Sequence, residues 1–264
     1  MLKTVHNTVW AFDAEWVPNL KLGMKLHNTD DPDEALELMY KKAGATEENP
    51  TPYLKVGLCQ LVSVSVLQRS VTPEGIKHTL ISLPKLGTKA SEKSILRKFF
   101  GGIAKRKPQL VGYNSISADF RIMLQRGLAH GLQASAFAAK PNKPWEGFDY
   151  SSQHSDAHID LQAVLHPGWG SNSSLNDIAV SMGVPGKLDT SGDQVFDLWQ
   201  DGDYDSIIAY NETDALTTFG VFLRLMYFSG FLTEEKYIEE QAQLRAMLEA
   251  KDQEHINKFL KAWL

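Results

Sequence analysis

The sequence holds a single cysteine, Cys59, in 264 residues. No disulfide can form within the chain, and packing and hydrogen bonding must hold the fold, as is usual in a reducing compartment. No apolar run approaches the ~18 residues that a membrane span needs. The opening MLKTVHNTVWAFDAEW has no long apolar stretch before its first acidic residue. The expectation is a chain without a signal peptide or membrane contact, located in the cytoplasm. An excess of basic charge is also missing. With 27 Lys and Arg against 32 Asp and Glu, the net charge is −5, the wrong sign for a protein that coats duplex nucleic acid by bulk electrostatics. Any contact with nucleic acid must be local. Internal repeats and low-complexity tracts are absent too. What remains, 43% hydrophobic and 22% charged, is an ordinary globular composition, long enough for one large or two small domains.

The pattern along the chain predicts mixed α/β structure. Thr8 to Phe12 reads as a buried strand, being a nearly continuous apolar run. Residues 18–52 break that pattern with an acidic start, a helix over Ala35 to Lys42 and a proline-rich exit, which suggests an insertion or flap. Val56 to Leu67 and Ile76 to Leu83 form an antiparallel hairpin about the turn signal Thr72-Pro73-Glu74-Gly75, since proline and glycine set turn geometry. A helix over Ser91 to Ile103, a strand over Gln109 to Tyr113, a helix from Ala118 to His130 and a short strand over His158 to Leu161 follow. The last third is helical. Ser174 caps a helix ending near Gly183, as a serine at that position can. Asp205 to Tyr227 carries an apolar stripe at Ile208, Ala215, Phe219, Phe222 and Met226, at helical spacing. Thr233 to Leu264 reads as an amphipathic helix or helix pair. This order gives an α/β domain over 1–230, with 18–52 as its insertion, and a helical extension over 231–264 packed on it.

Certain carboxylates stand out from their surroundings. Asp13 and Glu15 follow the first apolar run, and alternation puts both on one strand face, roughly 6.5 Å apart. Buried carboxylates are costly unless paired, protonated or bound to metal, and two on one face suit a divalent cation with oxygen ligands. The spacing alone is common, since Asp252-Gln253-Glu254 repeats it in the charged tail. Asn114 to Asp119 links a strand end to a helix start, where an acid can aim into a cleft or simply cap the helix. Tyr210 and Asp214 lie four apart on the long helix and are offset by only ~40° around it. His154 and His158 have metal-like spacing but no thiols nearby. Cys59 lies in an apolar strand and reads as inert core.

Taken in order, Phe12-Asp13-Ala14-Glu15, Gly112-Tyr113-Asn114 through Asp119, and Tyr210-Asn-Glu-Thr-Asp214 resemble the motifs of the DEDD superfamily of 3′→5′ exonucleases in its tyrosine form. Ser174-Leu-Asn-Asp-Ile-Ala, Gly183-Val-Pro-Gly-Lys187 and Asp214 through Arg224 are similar to bacterial stand-alone exonucleases related to the proofreading domain of family B DNA polymerases. Ala14 and Trp16 stand where that family usually has an aliphatic residue and threonine, and Ala118 replaces a usual aromatic.

The resemblance implies a ribonuclease H-like fold, its sheet antiparallel over the first three strands and then parallel, flanked by helices. It also implies a two-metal mechanism, one cation activating water and the other stabilising the leaving oxygen. Asp13 would bridge both, Glu15 and Asp214 would complete the first site, and Asp119 would serve the second. Tyr210 would orient the attacking water. Mg²⁺ is the expected ion and Mn²⁺ a substitute, because every ligand is a hard oxygen. Ala14, Trp16, Asn114 and Lys187 would contact substrate, with Arg121 and Lys105-Arg106-Lys107 as further phosphate-binding candidates and Tyr113 as a stacking one. The expected partner is a single-stranded DNA 3′ end. The same cage would serve an exoribonuclease trimming RNA, and a catalytically silent nucleic-acid-binding module is the non-enzyme alternative. The tail helices could dock a protein partner.

Overall fold

A computed structural model describes residues 2–143, 146–152, 154–166, 173–186 and 192–263. The first strand, β1 (Thr8–Pro18), runs well past the apolar stretch that announces it. Pro18 ends it, and Asn19 then caps α1 (Leu20–His27), its side chain accepting the Leu22 N–H. Asp31 caps α2 (Pro32–Ala43) in the same way, with proline at its first position, where the missing N–H has no partner to lose. These two helices fill the segment read as an insertion, and Ala35 and Met39 are buried there. β2 (Cys59–Thr72) and β3 (Gly75–Leu83) form the expected hairpin. α3 (Glu92–Arg106) starts at the Ser91 cap and leads back to β4 (Gln109–Gly112). α4 (Asp119–Ala129) then precedes β5 (His158–Asp160).

The sheet order is β3-β2-β1-β4-β5. β1 pairs antiparallel with β2 and parallel with β4, and β4 is parallel to β5. This is the mixed sheet expected from the element order. Past it come the short α5 (Leu161–Leu165), α6 (Leu175–Ser181) and α7 (Val195–Gln200). α6 opens on a capping box between Ser174 and Asp177. The long α8 (Tyr204–Phe228) is followed by α9 (Glu234–Glu249) and α10 (Glu254–Ala262), so the tail is a helix pair. Among the described residues, no helix is long and apolar enough to cross a membrane.

Strand alternation divides the core. Val9 and Ala11 of β1 join Leu67, Val111 and the α8 residues Phe219 and Phe222 on one face. Trp10, Phe12 and Ala14 join Val64, Val66, Phe99 and Phe120 on the other. Tyr237, Leu244, Leu248, Ile256 and Phe259 of the last two helices belong to the α8 side, so their apolar faces are turned into the domain. Buried ion pairs fix the packing. Arg69 donates to both oxygens of Glu240 at 2.6 and 3.0 Å, which ties α9 to the sheet, and His78 lies 3.3 Å from the same carboxylate. Glu212 bonds Ser82 on β3 and His255 on α10. Arg126 and His130 of α4 hold Glu92 of α3.

Candidate active site

The face of β1 that carries Val9 and Ala11 continues as Asp13 and Glu15. That is where α8 crosses the sheet, bringing Asp214. Carboxylate oxygens of Asp13, Glu15 and Asp214 lie within 4.8 Å of one another. Asp119, buried at the first turn of α4, reaches the same edge, its Oδ1 accepting the Ala14 N–H at 3.0 Å. Tyr210 sits one turn before Asp214, and its hydroxyl shares a hydrogen bond with that carboxylate. The sequence motifs therefore converge on one cleft at the carboxyl edge of β1 and β4.

The local chain explains the placement. The ladder shifts between Glu15 and Trp16, with Glu15 opposite Ser63 but Trp16 opposite Leu61, so that Val62 of β2 is the extra residue of a bulge beside the site, a common place for bulges. The Leu61 N–H next to it donates to Glu92 at 2.7 Å. The turn that delivers Asp119 is held from β5. Asp160 accepts the Asn114 N–H at 2.9 Å and the Ile116 N–H at 3.0 Å. Asn114 has φ +57, a left-handed conformation that asparagine tolerates. A side chain at Gly112 would collide with Ser115. His158 donates from Nδ1 to the Tyr150 carbonyl, which can only accept, so its Nε2 accepts the Ser115 hydroxyl at 2.8 Å. Burial holds its pKa down, keeping the ring neutral.

The acids oppose one another electrostatically. Burial, followed by the charges of Glu15, Asp119 and Asp214, raises the Asp13 pKa well above the ordinary carboxylate range. Burial raises Asp119 to about 7, with Asp160 and Asp214 adding to it and the Ala14 N–H opposing. Burial and then Asp214, Glu15 and Asp13 push the Tyr210 phenol far upward, so it stays protonated and can donate a hydrogen bond. Hard oxygen ligands that repel one another at this range fit a divalent cation.

Other expectations fare differently. Ala14 reaches the site through its main chain, since its methyl is buried in the core. Trp16 is partly exposed beside Glu15, and its indole N–H bonds the hydroxyl of Tyr53. Asn114 is exposed at the turn before Asp119, and Lys187 lies outside the described residues. Tyr113 is partly buried, its hydroxyl bonded to the Ser173 carbonyl at 2.5 Å. The Lys105-Arg106-Lys107 cluster ends α3 and precedes β4, whose Gln109 aligns with Val9, four residues before Asp13 on β1. Both nitrogens of His158 are occupied, which excludes a His154–His158 metal pair. The Cys59 thiol is buried and pushed up to about 12, and is inert as expected.

Sequence reading missed several contributors. Tyr53, 72% exposed, carries no motif and lies in a proline-flanked loop. Asn211 donates to Asp13 Oδ2 at 2.7 Å, and Ser63 donates to Asn211 at 2.9 Å. Asn211 was visible inside the third motif, but nothing in the sequence pairs it with β1. Asp160 follows an apolar run and reads as an ordinary helix cap, which it also is.

Residues 51–263 match the family described as a predicted 3′-5′ exonuclease related to the exonuclease domain of PolB. That match spans most of the chain, which belongs to this family and is a 3′→5′ exonuclease by class. β1, with Asp13 and Glu15, precedes the matched residues. Among solved structures, the family B DNA polymerase from the hyperthermophilic archaeon Pyrobaculum calidifontis is similar, with a TM-score of 0.51 and 18% identity over 84% of this chain. The likeness covers 25% of the polymerase, so this chain spans about a quarter of its length. At that identity the likeness is one of fold, and the mixed sheet is of the ribonuclease H-like kind. No curated protein matches.

Proposed function

We propose that the chain removes nucleotides from the 3′ end of single-stranded DNA, releasing nucleoside 5′-monophosphates, by the tyrosine form of the two-metal mechanism. The observation that carries this reading is the convergence of Asp13, Glu15 and Asp214 within 4.8 Å at the edge where Asp119 and Tyr210 also arrive. Asp13, Glu15, Asp214 and Asp119 would hold the Mg²⁺ ions, with Mn²⁺ able to replace them. The bound cations supply water activation and neutralisation of the phosphate charge.

The chain's own groups do the rest. The Tyr210 phenol, kept protonated by burial and the neighbouring acids, would turn its proton from Asp214 to orient the attacking water, and is no base at neutral pH. Trp16 and Tyr53 offer aromatic faces for the terminal bases, and Asn114 and Lys187 are assigned to the terminal nucleotide. An acidic cage repels phosphate until cations fill it, so metal and substrate bind cooperatively despite the net charge of −5. Kinship with a DNA polymerase domain favours DNA over RNA.

The test is digestion of 5′-labelled DNA and RNA oligomers with Mg²⁺, using the wild type and Asp13→Ala. The expected result is a ladder shortening from the 3′ end of DNA. Losing a metal bridge worth several kcal/mol should slow the variant by about 10³-fold. Equal activity in the variant places the chemistry elsewhere. Preferential shortening of RNA reassigns the substrate, and binding of a 3′ end without cleavage under any divalent ion favours a silent binding module.

A further inference from the structure

Asn211 is fully buried on α8, between Tyr210 and Asp214, and no step of the proposed reaction uses it. Its Nδ2 donates to Asp13 Oδ2 at 2.7 Å, and its Oδ1 accepts the Ser63 hydroxyl at 2.9 Å. Ser63 is also fully buried, on β2 opposite Glu15. We propose that Ser63 and Asn211 form a neutral strut that orients the Asp13 carboxylate for cation binding. This rests on the assignment of Asp13 to the metal cage. Asn211 is a positioning residue in this scheme, because it acts through Asp13.

For the ionised carboxylate that binds a cation, the polarity of the chain is determined. If the Asn211 amide were turned over, Oδ1 would face a carboxylate oxygen, and two acceptors would meet in a site with little water. With Nδ2 toward Asp13, every group is satisfied, and the serine must be the donor at the far end. The strut occupies one direction on Oδ2 and fixes the carboxylate plane. Asp13 also shares a hydrogen bond with the Glu15 side chain, and a cation held with Glu15 and Asp214 would take the place of that shared proton.

The choice of an amide matters. Two acids that brace the fold are held by cations, the buried Glu240 by Arg69 and the half-buried Glu92 by Arg126. A guanidinium at position 211 would hold Asp13 equally well but would neutralise it and repel the incoming metal. A leucine would fill similar space without the cost of burying an amide, and would leave Asp13 free to rotate. Only a neutral donor both fixes the carboxylate and leaves its charge available. Groups that orient metal ligands in this way typically change metal affinity or activity by about 10–100-fold when removed.

The experiment is an Mn²⁺ titration of the full chain, followed by electron paramagnetic resonance of the free ion. Activity at limiting and saturating Mn²⁺ and thermal melts without metal accompany it, for the wild type, Asn211→Leu and Ser63→Ala. Asn211→Leu should weaken Mn²⁺ binding by about 10-fold, with kcat largely recovered at saturating Mn²⁺. Ser63→Ala should lose less in the same direction. A purely structural role would lower the melting temperature and leave the Mn²⁺ midpoint in place. The proposal is overturned if folded Asn211→Leu binds Mn²⁺ within about twofold of the wild type, well below the usual loss. If that variant does not fold, an unshifted midpoint in folded Ser63→Ala overturns it. A wild-type chain that binds no Mn²⁺ brings down the cage and the strut together, which separates that failure from failure of the strut alone.

Discussion

Among the described residues, the acids of two regions are built in opposite ways. Glu240, between α9 and the sheet, is gripped by Arg69 and His78. Burial works to raise its pKa, but the hydrogen bonds from His78 and Arg69 overcome it and hold the carboxyl below its usual value. Glu92 between α3 and α4 is treated alike by Arg126 and His130. At the edge of β1 the logic reverses. After burial, the charges that act most on Asp13 come from Glu15, Asp119 and Asp214, and its pKa rises. A domain that supplies cationic side chains to acids with a purely structural task, and surrounds others with further acids, has left charge for something that arrives from outside. In the folded chain the first kind stabilises, and the second is a strain that a bound dication relieves.

The widest separation between the two kinds should appear when one partner is removed. Arg69→Met leaves Glu240 buried with only His78, whereas the pair itself is nearly inaccessible. Breaking such a pair typically costs about 3–5 kcal/mol, which in a chain of this size lowers the melting temperature by roughly 10 °C or more. The double variant Arg69→Met with Glu240→Leu should recover much of that loss. A calorimetric scan of both variants checks it. A single variant as stable as the wild type would mean that the ion pair is not what anchors α9.

The acidic cluster should answer with the opposite sign. In EDTA above neutral pH, Asp119→Asn should raise stability by up to about 4 kcal/mol, since the Asp119 pKa is raised from 3.8 to about 7, each unit corresponds to about 1.36 kcal/mol, and asparagine can still accept the Ala14 N–H. With Mn²⁺ present the variant should instead be the less stable protein, because it binds the stabilising ligand less well. The pH dependence follows from the same shifts. Asp119, raised to about 7, keeps its proton longer when folded. Its contribution is fully present below the unfolded value near 4 and is lost as pH rises toward 7. Glu240, held low, contributes above its unfolded value and loses that contribution as pH falls through the folded one. Denaturant midpoints measured without metal from pH 3 to 8 should therefore lose their alkaline decline in Asp119→Asn, and part of their acid decline in Glu240→Gln. A wild-type protein that gains stability between pH 5 and 7 in EDTA would contradict the raised Asp119.

These two kinds of acid were not equally legible in the sequence. The cluster could be read because each member sits in a local pattern: alternation put Asp13 with Glu15, and helical spacing put Tyr210 with Asp214. The paired acids could not, because Arg69 and Glu240 are joined only by the tertiary fold. The same limit hid Asn211 from Ser63, and Asp160 from the turn it clamps. Local errors have local causes. β1 runs on to Pro18 although Asp13 and Glu15 interrupt its apolar run, because those acids occupy a protected site and not an exposed end. α1 went unread because a helix of this length shows little period, although Asn19 before Leu20 was a usable cap signal.

The smallest effect tests whether burial, and not pairing as such, sets these magnitudes. Glu254 and Lys258 on α10 form an ion pair of 3.2 Å, one turn apart and well exposed. Exposed pairs at this spacing contribute about 0.3–0.5 kcal/mol, and an acid in the first helical turn adds a similar amount through the helix dipole. Glu254→Gln should therefore cost less than about 1 kcal/mol, and most of that should vanish in high salt, where exposed charges are screened. Arg69→Met should keep its full cost in the same salt, because its pair lies out of reach of screening ions. Chemical denaturation of both variants in urea at low and high NaCl makes the comparison. A salt-insensitive loss in Glu254→Gln as large as that of Arg69→Met would show that the number of charge pairs, and not their desolvation, governs how this fold uses its acids.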